Sequence, residues 1–179
     1  MKRFRLAMLM LLGFTQAMAA EDAALLAELH NPGHPEPHRI VSGALNASDL
    51  QRLHAAGLRH LINLRTPEET PDFDEAQVAH VLGIDYAGIP IKGPSTFTRD
   101  NAARLDDLLR RAGDEPTLIH CASGNRVGAL IALRAAWIQG QPIEAAIAEG
   151  KRWGLTSLEP SVRSALEQDE EERAGDQSE

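Results

Sequence analysis

Residues 117–136 read TLIHCASGNRVGALIALRAA. The run from Thr117 to His120 is apolar and of strand length, and the buried strands of parallel sheets read as such uninterrupted runs. From Arg126 onward the composition turns to alanine, leucine and isoleucine, which marks a largely covered helix. Only Cys121, Ala122, Ser123, Gly124 and Asn125 are left to join the two, and Gly124 permits the positive φ that so tight a connection needs. A strand passing through a short loop into a helix is the repeating unit of an α/β fold.

The flanking sequence repeats that unit. ASDLQRLHAAG (47–57) has Ser48 followed three residues later by Gln51, a capping-box spacing, and Gly57 as a stop, so it predicts a helix. RHLINLR (59–65) predicts a strand, and Pro67, Glu68 and Glu69 open a turn or helix that runs on through EAQVAHVLG (75–83). IDYAGIPI (84–91) is the next strand. Thr98 caps RDNAARLDDLLRRAG (99–113), in which Leu105, Leu108 and Leu109 form an apolar stripe and Gly113 ends the helix. Pro142 opens a further helix, and EPSVRSALEQ (159–168) is the last. The alternation predicts a single α/β domain with a mainly parallel central sheet of about four to five strands, flanked by helices on both faces.

Four segments are expected. Residues 1–19 carry Lys2, Arg3 and Arg5, an apolar run from Leu6 to Phe14 and small residues at Ala17 and Ala19, the three-part pattern of a Sec-type signal peptide cut after Ala19. The apolar run is too short for a membrane anchor, and the expected location is periplasmic or secreted. Residues 20–39 contain HNPGHPEPH, whose prolines oppose regular structure. Its three histidines lack an accompanying set of acidic or sulfur ligands, so the stretch reads as a linker and no metal is expected. Residues 40–166 form the catalytic domain, and the clustered acids of 167–179 predict a flexible tail.

Removing Lys2, Arg3 and Arg5 takes the formal charge from −8 to −11. Such an acidic body repels nucleic acid, and no basic stripe is present. An anionic ligand therefore has to be held by a local cluster of positive groups. The chain's one cysteine has no partner for an internal disulfide, which leaves a buried bystander, an intermolecular bridge or a reactive thiol.

In an open α/β sheet, ligands sit beyond the carboxyl ends of the strands, which is where Cys121 falls. Successive backbone N–H groups between Cys121 and Val127 would surround one anion, with the helix N-terminus adding partial positive charge. The same field favours a thiolate, and Arg126 offers a planar fork for two oxygens of a tetrahedral oxyanion. His120 would hydrogen-bond the loop backbone and keep it open. Arg65 and Lys92 lie just past predicted strands on the same edge and would complete a basic pocket.

HCASGNR, with the preceding RHLINLR and IPI segments, resembles the phosphate-binding loop of cysteine-dependent protein tyrosine and dual-specificity phosphatases, over roughly residues 40–158. In that family the loop has arginine sixth after cysteine, followed by serine or threonine. Here Arg126 is fifth and Val127 follows, a Cys-x4-Arg loop similar to that of a bacterial branch with shortened loops. The resemblance implies a phosphatase with Cys121 as nucleophile, and Arg126 with the backbone of His120, Ala122, Ser123, Gly124 and Asn125 as the oxyanion cradle. It implies no cofactor, and a phosphorylated protein or small phosphate ester as partner. Ser123 is the candidate for the missing hydroxyl that assists thiolate release.

The family carries its general acid, an aspartate, on the loop after the IPI strand, where this chain has Lys92 near the strand and Asp100 as the only carboxylate. Asp100 would equally serve as a first-turn helix charge. A preference for aryl over alkyl phosphates is therefore expected. The short loop is also similar to that of rhodaneses, which leaves a sulfurtransferase working through a cysteine persulfide as an alternative, along with an inactive oxyanion-binding module.

Overall fold

The computed structural model describes residues 28–70 and 73–176. Within them, five strands form one sheet in the order β1-β2-β5-β3-β4. β1 (Gly33–Glu36) and β2 (Arg39–Ser42) are an antiparallel hairpin, while β2, β5 (Thr117–His120), β3 (His60–Asn63) and β4 (Asp85–Gly88) run parallel. Six helices accompany them: α1 (Ala47–Ala55), α2 (Glu75–Leu82), α3 (Arg99–Ala112), α4 (Asn125–Trp137), α5 (Ile143–Arg152) and α6 (Glu159–Asp176).

Register explains why both faces are covered. Val41, Ile119 and Ile62 stand side by side in neighbouring strands and enter a core built with α3, α4, α5 and α6. Leu118 and Leu61, one residue earlier, point the other way and meet Leu50 and Leu53 of α1 and Ala79 of α2. Each fully buried leucine or isoleucine stabilises the fold by roughly 1.5–3 kcal/mol, so the alternation fixes the register strongly. The same register sets Ser42, His120, Asn63 and Gly88 in one row at the carboxyl ends of the strands, immediately below the loop that carries Cys121.

Helices α4 and α5 cross very closely. A Cβ on Gly128 would lie 2.0 Å from the Leu155 nitrogen and 2.5 Å from the Gly150 carbonyl oxygen.

Several sequence expectations need correction. The proline-rich stretch is not a plain linker: Gly33–Glu36 forms the edge strand, where a proline has no ladder partner to lose, and Leu29 is buried in the core, so the folded unit begins before Ile40. Helix α1 is capped two residues earlier than Ser48, by a box in which Asn46 accepts from the Asp49 N–H and Asp49 accepts from the Asn46 N–H. Pro67–Glu69 is a separate 3-10 turn, not the start of α2. The acidic end is helical as far as Asp176, because Asp169 takes a bidentate ion pair from Arg99 of α3. Residues 1–19, read as a signal peptide, lie outside the described residues.

Candidate active site

The loop between β5 and α4 is held from below and from both sides. Cys121 donates its N–H to the Ser42 carbonyl at 3.4 Å, and the Ala44 N–H donates to the Ala122 carbonyl at 3.2 Å, so the segment after β2 props the loop after β5. Gly43 allows that approach, since a Cβ there would lie 2.8 Å from the Ala122 oxygen. Gly124, with φ 88°, takes the left-handed conformation at the start of α4. Its N–H turns inward and donates to Cys121 Sγ at 3.1 Å. The thiol is fully buried, while Ala122 and Ser123 are exposed at the rim. Asn125 and Arg126 open the helix and so present backbone N–H groups that have no carbonyl four residues back.

Arg126 is the second fixed element. Its Nη1 donates to Glu69 Oε2 at 2.8 Å and to the Ile91 carbonyl at 2.7 Å, and its Nη2 donates to Glu69 Oε1 at 2.5 Å. A guanidinium has five N–H donors. Glu69 and Ile91 engage three, which leaves Nε–H and the second Nη2–H together on one edge for Cys121, the further side-chain hydrogen-bond partner of the guanidinium. Glu69 and Ile91 thus aim a two-donor fork. The hydrogen bond from Arg126 is the main reason the Glu69 carboxyl falls from its ordinary 4.5 to about 2, with Arg65 adding a smaller pull. The pair in turn holds Arg126 protonated, first through Glu69 and further through its proximity to Cys121.

His120 does not touch the loop backbone as expected. Residues alternate across β5, so the imidazole points to the α2 face, where Nε2 meets Glu75 Oε1 at 2.6 Å with both side chains buried. Glu75 Oε2 accepts from Asn63 Nδ2 at 3.3 Å, and Asn63 also bonds Tyr86 and the Arg65 N–H. The row beneath Cys121 is therefore a buried polar network, and it fixes the residue before it.

The remaining candidates separate. Arg65 lines a cavity of about 520 Å3 together with Asn63, Phe73, Glu75 and Tyr86. Lys92 is exposed and acts on Glu68, whose carboxyl is lowered chiefly by a hydrogen bond from Thr66 and further by Lys92. The expected basic pocket is thus partly neutralised by the Glu68–Glu69 turn. Asp100 sits exposed in the first turn of α3, one residue from Arg99, and has no hydrogen bond to the loop. Asn125 turns its side chain away from the oxyanion cradle: its Oδ1 accepts from Thr156 N–H at 2.9 Å and Leu158 N–H at 3.4 Å, and its Nδ2 donates to Ser157 at 2.7 Å. Sγ accepts from the Gly124 N–H, and among the described residues no hydrogen bond joins the Ser123 hydroxyl to it.

Sequence reasoning missed Glu69 and Glu75. The available signals were Asn63, a polar residue inside the run HLINL, and a carboxylate four residues past Arg65 at the sheet edge that bears Cys121.

No known protein family's sequence profile matches the chain. A beta-lactamase hydrolase-like protein of Agrobacterium fabrum is 30% identical over 97 residues, which is 52% of this chain but only 22% of the relative's length. Among solved structures, a DUF442 protein of Shewanella putrefaciens CN-32 described as a candidate phosphatase aligns with TM-score 0.59 and 18% identity, over 82% of this chain and 97% of its own. Kinase associated phosphatase, whose catalytic-site cysteine was replaced by serine, aligns with TM-score 0.59 and 16% identity, over 76% of this chain and 87% of its own. At these identities the likeness establishes the fold alone: a single α/β domain with a mostly parallel five-stranded sheet, shared with these structures.

Proposed function

We propose that the chain is a cysteine-dependent phosphoric monoester hydrolase. The observation that carries this reading is the junction of β5 and α4, where one thiol, one aimed guanidinium edge and the unpaired amides of a helix start converge. A phosphoryl group seated there has its equatorial oxygens met by the Arg126 fork and the loop N–H groups, the kind of preorganised stabilisation that usually contributes most. Cys121 thiolate attacks phosphorus as the ester oxygen departs, giving a phosphocysteine. Water then attacks phosphorus, releasing inorganic phosphate and restoring the thiolate. Among the described residues, Asp100 is exposed and unconnected to the loop and Glu69 is held ionised by Arg126, so neither carboxyl protonates the leaving oxygen and phenols leave far more readily than alkyl alcohols. The substrate is thus an aryl or phosphotyrosine-like monoester, met in the periplasm or outside the cell if residues 1–19 act as the signal peptide they resemble.

The test is turnover of an aryl and an alkyl phosphate by reduced protein. Wild type is expected to hydrolyse the aryl ester well above the alkyl one. Cys121→Ser should lose turnover yet still bind inorganic phosphate, and Arg126→Lys should weaken both. Retained turnover in the serine variant sinks the covalent mechanism.

A second reading rests on the loop length. Four residues between Cys121 and Arg126 make a smaller ring of amides, and Sγ beneath it is fully buried, which suits a single sulfane sulfur. A sulfurtransferase would form thiocyanate from thiosulfate and cyanide and leave aryl phosphate untouched; the same preparation decides between the two.

A further inference from the structure

Beside the oxyanion loop lies a second cavity, of about 420 Å3, whose walls include Asn31, Ser123, Gly124, Lys151, Arg152 and Thr156. Ser123 and Gly124 belong to the loop itself, so the cavity and the cradle share a wall. Ser123 is only two residues from Cys121, at most about 7.6 Å of chain. The opposite wall is held at a fixed distance. Gly154, at φ 96°, brings the segment after α5 so close that a Cβ on it would lie 3.2 Å from the Gly124 carbonyl oxygen. Asn125 then ties residues 156–158 down with three hydrogen bonds.

The polar atoms around this cavity are mostly donors or hydroxyls. Asn31 contributes its amide, already reaching the Ser123 carbonyl at 3.5 Å, and Ser123 and Thr156 are exposed. Lys151 is engaged by Glu159 at 2.8 Å. Arg152 is exposed and, among the described residues, has no ion pair. In a chain of formal charge −8, an unpaired arginine beside an oxyanion loop is a local exception to the prevailing field.

Resting on the hydrolase reading, we infer that this cavity receives a second anionic group of the substrate, a phosphate or carboxylate close to the scissile phosphoryl group, with Arg152 as the specificity-determining residue. An exposed charge pair of this kind changes affinity about 1.5-fold to fivefold and weakens with salt.

The experiment compares phenyl phosphate, 3-carboxyphenyl phosphate and benzene-1,3-bisphosphate, with wild type and Arg152→Ala. The two doubly anionic esters are expected to show KM values about 1.5-fold to fivefold lower than phenyl phosphate. Arg152→Ala should abolish that difference while leaving kcat and the phenyl phosphate values in place, and 0.5 M salt should do the same to wild type (about a 4 Å Debye length). No preference in wild type, or a KM rise in Arg152→Ala that is equal for all three esters, overturns the inference. Phosphotyrosyl peptides with glutamate or alanine beside the phosphotyrosine distinguish a peptide carboxylate from a small ester as the natural source. If wild type turns over none of these, the hydrolase reading fails, and calorimetry on Cys121→Ser still decides the cavity. Tighter binding of benzene-1,3-bisphosphate than of inorganic phosphate, lost on Arg152→Ala, supports it; equal affinities overturn it.

Discussion

Glu69 decides what Arg126 is free to do. A bare arginine at the start of a helix has several rotamers, and only the bidentate pair with Glu69 and the bond to the Ile91 carbonyl leave one edge of the guanidinium for a ligand. Glu69→Gln keeps the shape but removes the charge and one good acceptor. It is expected to lower kcat/KM for an aryl phosphate about tenfold, the scale of one charge-assisted hydrogen bond lost. The pH dependence follows from the sign of the shift. Glu69 titrates near 2 in the fold against an ordinary 4.5, so its contribution to stability is complete above 4.5 and disappears as the pH falls towards 2. That contribution is on the order of 1–2 kcal/mol, since water screens the exposed part of the carboxylate. The stabilities of wild type and Glu69→Gln should therefore differ most above pH 4.5 and converge only as the pH falls to about 2, and an acid limb of the rate profile near pH 5 would belong to another group.

The element scale is governed by the crossing of α4 and α5. Those helices approach through Gly128 and Gly150, whose missing side chains let backbone meet backbone. A helix-interior glycine ordinarily costs about 1 kcal/mol relative to alanine, so Gly128→Ala would stabilise an isolated helix. Here the new methyl would stand 2.0 Å from the Leu155 nitrogen, and backbone cannot step aside as a flexible side chain can. The variant is expected to lose about 2 kcal/mol net through overpacking, a fall in Tm of about 4–8 °C. A thermal melt equal to or above wild type would show that the two helices are free to part. The same crossing places Gly154 against Gly124, so the loop that carries Cys121 inherits its rigidity from helix packing as much as from its own sequence.

At the scale of the whole molecule, α6 closes the larger core and carries its charge outward. Asp169 holds Arg99 in a bidentate pair, and that guanidinium also lies 5.6 Å from the centroid of the Trp137 ring and donates to the Trp137 carbonyl. Truncation after Gln168 is expected to lower stability by about 1 kcal/mol, or about 2–4 °C in Tm, because the exposed side of the pair limits its worth. Equal melts for this truncation and the full chain would mean that the acidic turns beyond Gln168 add nothing to the fold. What the sequence determined by itself were features whose signals are local: the apolar runs of β3 and β5, the stripe of α3 with its Thr98 cap, and the strand-loop-helix passage that puts Cys121, Gly124 and Arg126 at one sheet edge. Period, capping chemistry and turn residues act within a few positions, so they can be read without a partner. Tertiary structure alone decided that Glu69 meets Arg126, separated by 57 residues, and that Glu75 meets His120, separated by 45. It also decided that Gly33–Glu36 pairs as a strand and that the acidic end stays helical. The physical reason is common to all four: a lone carboxylate, a proline-rich edge or an acidic turn has no strong preference of its own, and takes its conformation from a distant group that only the folded sheet brings within hydrogen-bonding reach.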